Sequence, residues 1–190
     1  MSVHSYVSYY QSFEKDIENL ARYIEICEDN YCVYSVELTR LYLSICSEVD
    51  VTLKALCGIL GDNKSNNITG YVKTIKLHCP ELIDKEVSLT GYQLICAPWS
   101  ELHCGKNPGW WSEHNKVKHD RMTNYKKANL RNVLMAFSAL YTINVFIIFK
   151  EKCKQDPMFK FEFANVLTET MGFFKLARIK DVPFAYLFSY

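Results

Sequence analysis

The chain has no Cys-x-x-Cys pair, no glycine-rich phosphate loop, no Gly-x-Ser-x-Gly elbow and no His-Glu-x-x-His helix. Those absences remove zinc ribbons, P-loop nucleotide hydrolysis, hydrolases of the nucleophile-elbow type and zinc proteases of the HExxH type. Charge of one sign is also lacking: 22 Lys and Arg against 21 Asp and Glu leave a net charge of +1. No global field pulls the protein toward nucleic acid or anionic lipid, so any such contact must rest on a local patch. The first fifteen residues, MSVHSYVSYYQSFEK, lack the apolar core of a signal peptide. The eight cysteines (27, 32, 46, 57, 79, 96, 104 and 153) are scattered, mostly in apolar stretches. Together these features predict reduced thiols in a cytoplasm, most of them buried as small hydrophobes. Internal repeats and low-complexity tracts are absent as well.

What is present is a chain of 190 residues, 49% hydrophobic and 14% aromatic. That is enough to bury a real core as one domain over residues 1–190 without a metal or disulfide staple. The uncharged run Asn132 to Phe149, NVLMAFSALYTINVFIIF, raises the question of a membrane span. A span needs roughly 20 apolar residues, whereas this run contains Asn132, Ser138, Thr142 and Asn144 and is flanked by basic residues. The expectation is a buried central helix and no membrane, because all-round apolarity also marks the core of a bundle.

Periodicity sets out the rest. From about Ser5 to Asp29, Phe13, Ile17, Leu20, Ile24 and Cys27 recur at helical steps. Leu38, Leu41, Ile45, Val49, Leu53 and Leu56 define a second helix within residues 34–60, with Gly61 as its cap and a polar loop behind. A shorter helix follows and must stop before Pro80. Residues 85–99 turn strand-like around Gly91 and predict a small hairpin. After a loop at 105–109 comes a helix bent near Thr123, then a long apolar helix from about Lys126 to Lys152. The sum is a mainly all-α fold, a four-helix up-and-down bundle with a β-hairpin insertion. Its core covers about residues 5–152, and an aromatic tail, 153–190, packs on it.

The stretch WWSEHNKVKHDR, Trp110 to Arg121, concentrates the chemistry. His103, Cys104, His114 and His119 suggest a metal, but the two motif histidines are five apart, about 140° around a helix, where ligand pairs use a spacing of four. The expectation is no metal and no cofactor. In a plain structural reading, Lys116, Lys118, Asp120 and Arg121 are a solvated face, and Trp110, Trp111 and Val117 pack inward. The tryptophans could otherwise stack on bases. In the chemical reading, Asn115 shares a face with His119, and His114 with Lys118 and Arg121. An imidazole, an amide and cations on adjoining rows can hold a phosphate and move a proton from a ribose 2′-hydroxyl. Lys126, with Lys127 and Arg131, could extend the contact to a backbone. On the second helix Arg40, Ser44 and Glu48 form one ladder, and Asp50 and Lys54 another. Glu48, in an apolar stretch, calls for a cation from the motif helix to pair with it.

The segments PGWWSEHNKVKHDR…NYKKANLRNVLMAF and VELTRLYLSICSEVDVTLKAL, together covering roughly Tyr34 to Phe149, resemble the HEPN superfamily, in particular a group of uncharacterised bacterial HEPN-like proteins. That family's motif is an arginine, four to six residues, then a histidine, with a polar residue after the arginine. Asn115 matches the polar residue and His119 the histidine, while His114 stands where the arginine belongs. The resemblance implies a cytoplasmic homodimer with a composite site that cleaves RNA without a metal, in a toxin or phage-defence setting with a cognate antitoxin or regulatory protein. It makes His119 the acid/base and Asn115 the orienting group, with the phosphate left to His114, Lys118 or Arg121. A non-catalytic HEPN-like module that binds RNA, nucleotide or protein stays open beside the nuclease, because imidazolium is a weaker phosphate clamp than guanidinium.

Overall fold

The computed structural model describes residues 3–89 and 91–155. These form a mainly helical protein: α1 (Val3–Ala21), α2 (Val36–Ile59), α3 (Ile68–His78), α4 (Gly109–His119), α5 (Arg121–Asn124) and α6 (Leu130–Gln155). Between α3 and α4 lies a two-stranded antiparallel sheet, β1 (Val87–Leu89) and β2 (Leu94–Cys96), in which Ser88 pairs with Ile95.

Local chemistry explains most of the boundaries. Helix α2 starts because the Ser35 hydroxyl accepts a hydrogen bond from the Leu38 amide at 3.1 Å. It ends at Gly61, whose φ of +95° is open to glycine; the amides of Gly61 and Asp62 donate back to Gly58 and Cys57 carbonyls, a Schellman closure. Asn67 caps α3 through the Gly70 amide at 3.0 Å. The helix stops at His78, two residues before Pro80, as expected.

Helices α2 and α6 form the central pair, α1 packs on both from one side and α4 on both from another, and α3 lies on α2. On α2 the side chains of Leu38, Leu41, Ile45, Val49, Leu53 and Leu56 are fully buried. An 18-residue window of α6 has a mean hydropathy of 1.9 and is 83% buried within the protein. By length and composition α6 could cross a membrane, and the rest of the chain takes up its apolar surface. Two of its buried polar residues find partners, while the Ser138 hydroxyl is buried without one among the described residues. Asn144 Nδ2 donates to the Leu140 carbonyl at 3.0 Å, and Thr142 accepts from Trp99 Nε1 at 2.9 Å while donating to the Ala139 carbonyl. The first turn of α6 is tied to the segment before α2, since the Leu130 and Arg131 amides donate to the Val33 and Tyr31 carbonyls. Those bonds satisfy amides that a helix start leaves open.

Three expected boundaries shift. The first helix ends at Ala21 instead of Asp29: the Tyr23 and Ile24 amides both turn back to the Leu20 carbonyl, which exposes Tyr23 and lets Ile26 enter the core. The bend expected near Thr123 falls at Asp120, whose extended backbone ends α4 and whose carboxylate accepts from the Thr123 amide to start α5. The long helix begins at Leu130 rather than Lys126, because residues 125–127 form a 3-10 turn and Asn129 Oδ1 takes the Asn132 amide. All eight cysteines are free thiols, with Cys46, Cys57, Cys79 and Cys96 buried. Of the tail, Cys153 to Gln155 continue α6, and residues 156–190 lie outside the described residues.

Replacing Thr142 by Val keeps the volume but strips Trp99 Nε1 of its buried acceptor. The expected loss is about 1–3 kcal/mol of stability in urea unfolding, and Thr142→Ser should recover most of it.

Candidate functional site

Helix α4 is held by its aromatic residues and by its N-terminus. The Gly109 amide donates to the Glu101 carboxylate, which places negative charge at the positive end of the helix dipole. A Cβ at position 109 would come within 3.2 Å of that carboxylate, so a larger residue there would push the exposed Glu101 side chain back by a few tenths of an ångström. Trp110 is buried, with Nε1 donating to the Pro98 carbonyl at 2.8 Å, and its own carbonyl accepts from the Tyr42 hydroxyl. Rings then follow in contact: Trp99 with Trp110, Trp110 with Trp111, Trp111 with His114, and His114 with Tyr42, at centroid distances of 5.5 to 5.8 Å. Both tryptophans are therefore core anchors.

This packing decides where each motif residue goes. His114 is only 5% exposed and sits between Trp111 and Tyr42. Burial, with Lys118 and His119 nearby, pushes its pKa down to about 4, so the ring is neutral at physiological pH. Its Nδ1 has no hydrogen-bond partner among the described residues. The idea that His114 could hold a phosphate as a cation is therefore corrected: the side chain faces the core, where a charge is costly. His119, the last residue of α4, is exposed. Lys118, Arg121 and Lys126 are exposed too and make no ion pair among the described residues. Lys116 and Lys127 differ, because both lie 2.7 Å from the Glu113 carboxylate. Burial works to raise the Glu113 pKa, and these two lysines outweigh it and hold the carboxyl below its usual range.

The supporting residues on α2 behave differently from expectation. Glu48 does not pair with the motif helix. It is half-buried on the side of α1, close enough to Tyr6 to help raise that phenol's pKa after burial itself. Desolvation raises the Glu48 pKa, which relieves the burial by favouring the neutral acid. Arg40 pairs with Glu37 at 2.6 Å and with Asp16 at 3.3 Å, linking α2 to α1. Lys54 is exposed and makes no ion pair with Asp50, which instead lies beside the Tyr71 hydroxyl; burial and then Asp50 push the Tyr71 pKa up to about 12. Among the described residues no three His, Cys, Asp or Glu side chains converge as metal ligands. His103 Nε2 is 3.0 Å from an Asp84 carboxylate oxygen.

Two concavities flank the end of α4. An open groove of about 710 Å³ lies between α2 and α5, lined by the apolar Val36, Leu43 and Met122 and by the cationic Arg40 and Arg121. Val36 and Met122 are 78% and 87% exposed. A second pocket, of about 540 Å³, lies between α2, the start of α3 and α4. Asn115 and Lys118 reach it from α4, Ser47 and Asp50 from α2, and Asn66 and Asn67 from the loop, while Trp111 and His114 form its inner wall. Asp62 shapes that loop by accepting from the Lys64 and Ser65 amides and from the Ser65 and Thr74 hydroxyls. The loop asparagines are the part of the site that sequence reading missed. Their one signal was the Ser-Asn-Asn cluster just ahead of a helix, which marks a cap.

No family model, curated protein or solved structure matches the chain.

The buried neutral imidazole sets a pH dependence. Folded His114 titrates near 4 and an unfolded histidine near 6.5. Its contribution is intact above pH 6.5 and is lost as pH falls through 4, amounting to about 3 kcal/mol. Urea midpoints recorded between pH 7.5 and 4 should fall steeply for the wild type and less so for His114→Gln, and a histidine NMR titration should find one imidazole still neutral at pH 5.

Proposed function

We propose that this chain is a HEPN-like four-helix protein that acts on RNA as a homodimer, cleaving it without a metal through His119. The observation that carries the reading is the exposed edge at the end of α4. His119 is exposed there, and Lys118, Arg121 and Lys126 in the same stretch of chain are exposed and make no ion pair among the described residues, with Asp120 between them accepting from the Thr123 amide. In a protein of net charge +1, such an edge is a local attractor for a phosphate backbone, which the global charge could not be.

In this reading α1, α2, α4 and α6 are the up-and-down bundle and α4 is its motif helix. His119, an exposed imidazole at the end of α4, takes the proton of a ribose 2′-hydroxyl, and Asn115 orients the strand. With His114 neutral, the phosphate falls to Lys118 and Arg121; the guanidinium of Arg121 is suited to hold two phosphate oxygens at once. The apolar groove beside Arg121 supports the dimer, since a second copy would cover Val36 and Met122 and set two motif helices face to face. The setting is a toxin or phage-defence system in the cytoplasm, held in check by a cognate antitoxin or regulatory protein.

A second reading is favoured by one specific observation. The residue in the position of the family's arginine is a buried, neutral His114, which suits a non-catalytic module that keeps the basic edge for RNA, nucleotide or protein.

Purified protein in EDTA, given total tRNA and a long unstructured RNA, should cut, and a folded, dimeric His119→Ala should cut at least about 100-fold more slowly. Equal cutting by both proteins would sink the nuclease reading, and absence of cutting with RNA binding retained would establish the second. For single-stranded RNA, removing Lys118, Arg121 or Lys126 should each flatten the salt dependence by about 0.7 in log–log slope. Met122→Glu should shift the light-scattering mass from dimer toward monomer, and an unchanged mass would place the interface elsewhere.

A further inference from the structure

Lys118 to Lys127 are ten consecutive residues between the buried Val117 and Ala128, and none of their side chains enters the core. Residues 27–37 and 58–67 also lack a buried side chain, yet each stretch rests partly buried apolar groups on the core, Tyr31 and Val33 in one and Ile59 and Leu60 in the other. The stretch after α4 has no such footing. Its apolar residues are Met122, which is left to solvent, and Tyr125, which meets the edge of the Tyr34 ring at a centroid distance of 5.4 Å. Arg121, Met122 and Tyr125 line the same open groove as Val36, Thr39 and Leu43 of α2.

The hydrogen bonds of this stretch are largely internal. The Asn124 amide and side chain both donate to the Asp120 carbonyl, at 3.2 and 2.9 Å, the Thr123 amide donates to the Asp120 carboxylate, and the Ala128 amide donates to the Tyr125 carbonyl. From α6 the Asn132 side chain reaches the Lys127 carbonyl at 2.8 Å, beside the buried Ala128. The ion pair of Lys127 with Glu113, at 2.7 Å, ties the far end of the stretch back to α4. Both ends also have backbone outside the helical region, with ψ of 80° at Asp120 and 61° at Ala128. A segment that buries no side chain forfeits little on lifting and regains backbone freedom, which is the physical character of a local unfolding unit.

We propose that residues 120–127 are a strap that lifts from α4 and reseats as one unit while the core stays folded, pivoting at Asp120 and Ala128, with the Glu113–Lys127 ion pair as its latch. Lifting carries Arg121 and Met122 away from the end of α4, where His119 stays. Whatever covers Val36 and Met122 therefore also biases the position of Arg121, which couples the groove to the end of α4. The inference stands on packing alone and holds whatever that end of the protein binds.

The test is amide hydrogen exchange of the full chain, read residue by residue in a urea series below the unfolding transition. The Thr123, Asn124 and Ala128 amides should show protection at least about 100-fold lower than amides in the middle of α2 and α6, and their exchange should be insensitive to urea. Glu113→Gln and Lys127→Met should each speed strap exchange by about two- to fivefold, the double variant no more than either, with α2 and α6 unchanged. Lys116→Met is the control, because Lys116 pairs with Glu113 inside α4 and its removal should leave the strap alone. The proposal is overturned if the strap amides exchange only with the core and with its urea dependence, if neither latch variant changes them, or if Lys116→Met speeds them as much as Lys127→Met.

Discussion

The seating of α4 by its aromatic rings is the constraint on which the rest of the site depends. Trp110 is locked at both polar ends, its indole nitrogen to Pro98 and its carbonyl to Tyr42, and its ring continues a line of contacts from Trp99 to His114. A helix of eleven residues would be marginal by itself. Pinned this way, it has one rotational setting about its axis. Val117 and His114 then point inward, Asn115 and Lys118 toward the pocket, and Lys116 toward Glu113.

That setting also sorts the charges. Glu113 takes up Lys116 and Lys127, and Asp120 is occupied in starting α5. The cations left unpaired at the end of α4, among the described residues, are Lys118 and Arg121 on either side of His119, with Lys126 beyond. Exposed ion pairs contribute little to stability, and their effect here is to decide which lysines stay available.

The order of helices, the hairpin and the helix stops were legible because each has a local cause: apolar spacing on α2, Gly61 after its end, Pro80 beyond α3, the strand-like residues around Gly91. The boundary of α1 was not, because the helical stripe through Ile24 and Cys27 continues in the sequence while burial of Ile26 turns the chain away. Within the site, Asn115, Lys118 and His119 could be placed on one helix from spacing alone. The direction each would face could not, since a helix carrying apolar and polar residues in close alternation has more than one credible inward face until its neighbours are known. Glu48 shows the same limit: its apolar flanks implied partial burial, but the cation expected from α4 is not its partner, because the side chain lies beside Tyr6 of α1.

The sequence by itself determined a mainly helical chain, a central apolar helix and a helix dense in imidazole, amide and cationic groups, because periodicity, caps and composition act over a few residues. Only the tertiary structure decided that His114 is a neutral core residue while His119 is exposed. It also brought Asn66 and Asn67, far from α4 in the chain, to the same pocket. Burial and proximity depend on packing between distant segments, and a histidine reads the same in sequence whether Trp111 and Tyr42 enclose it or water does.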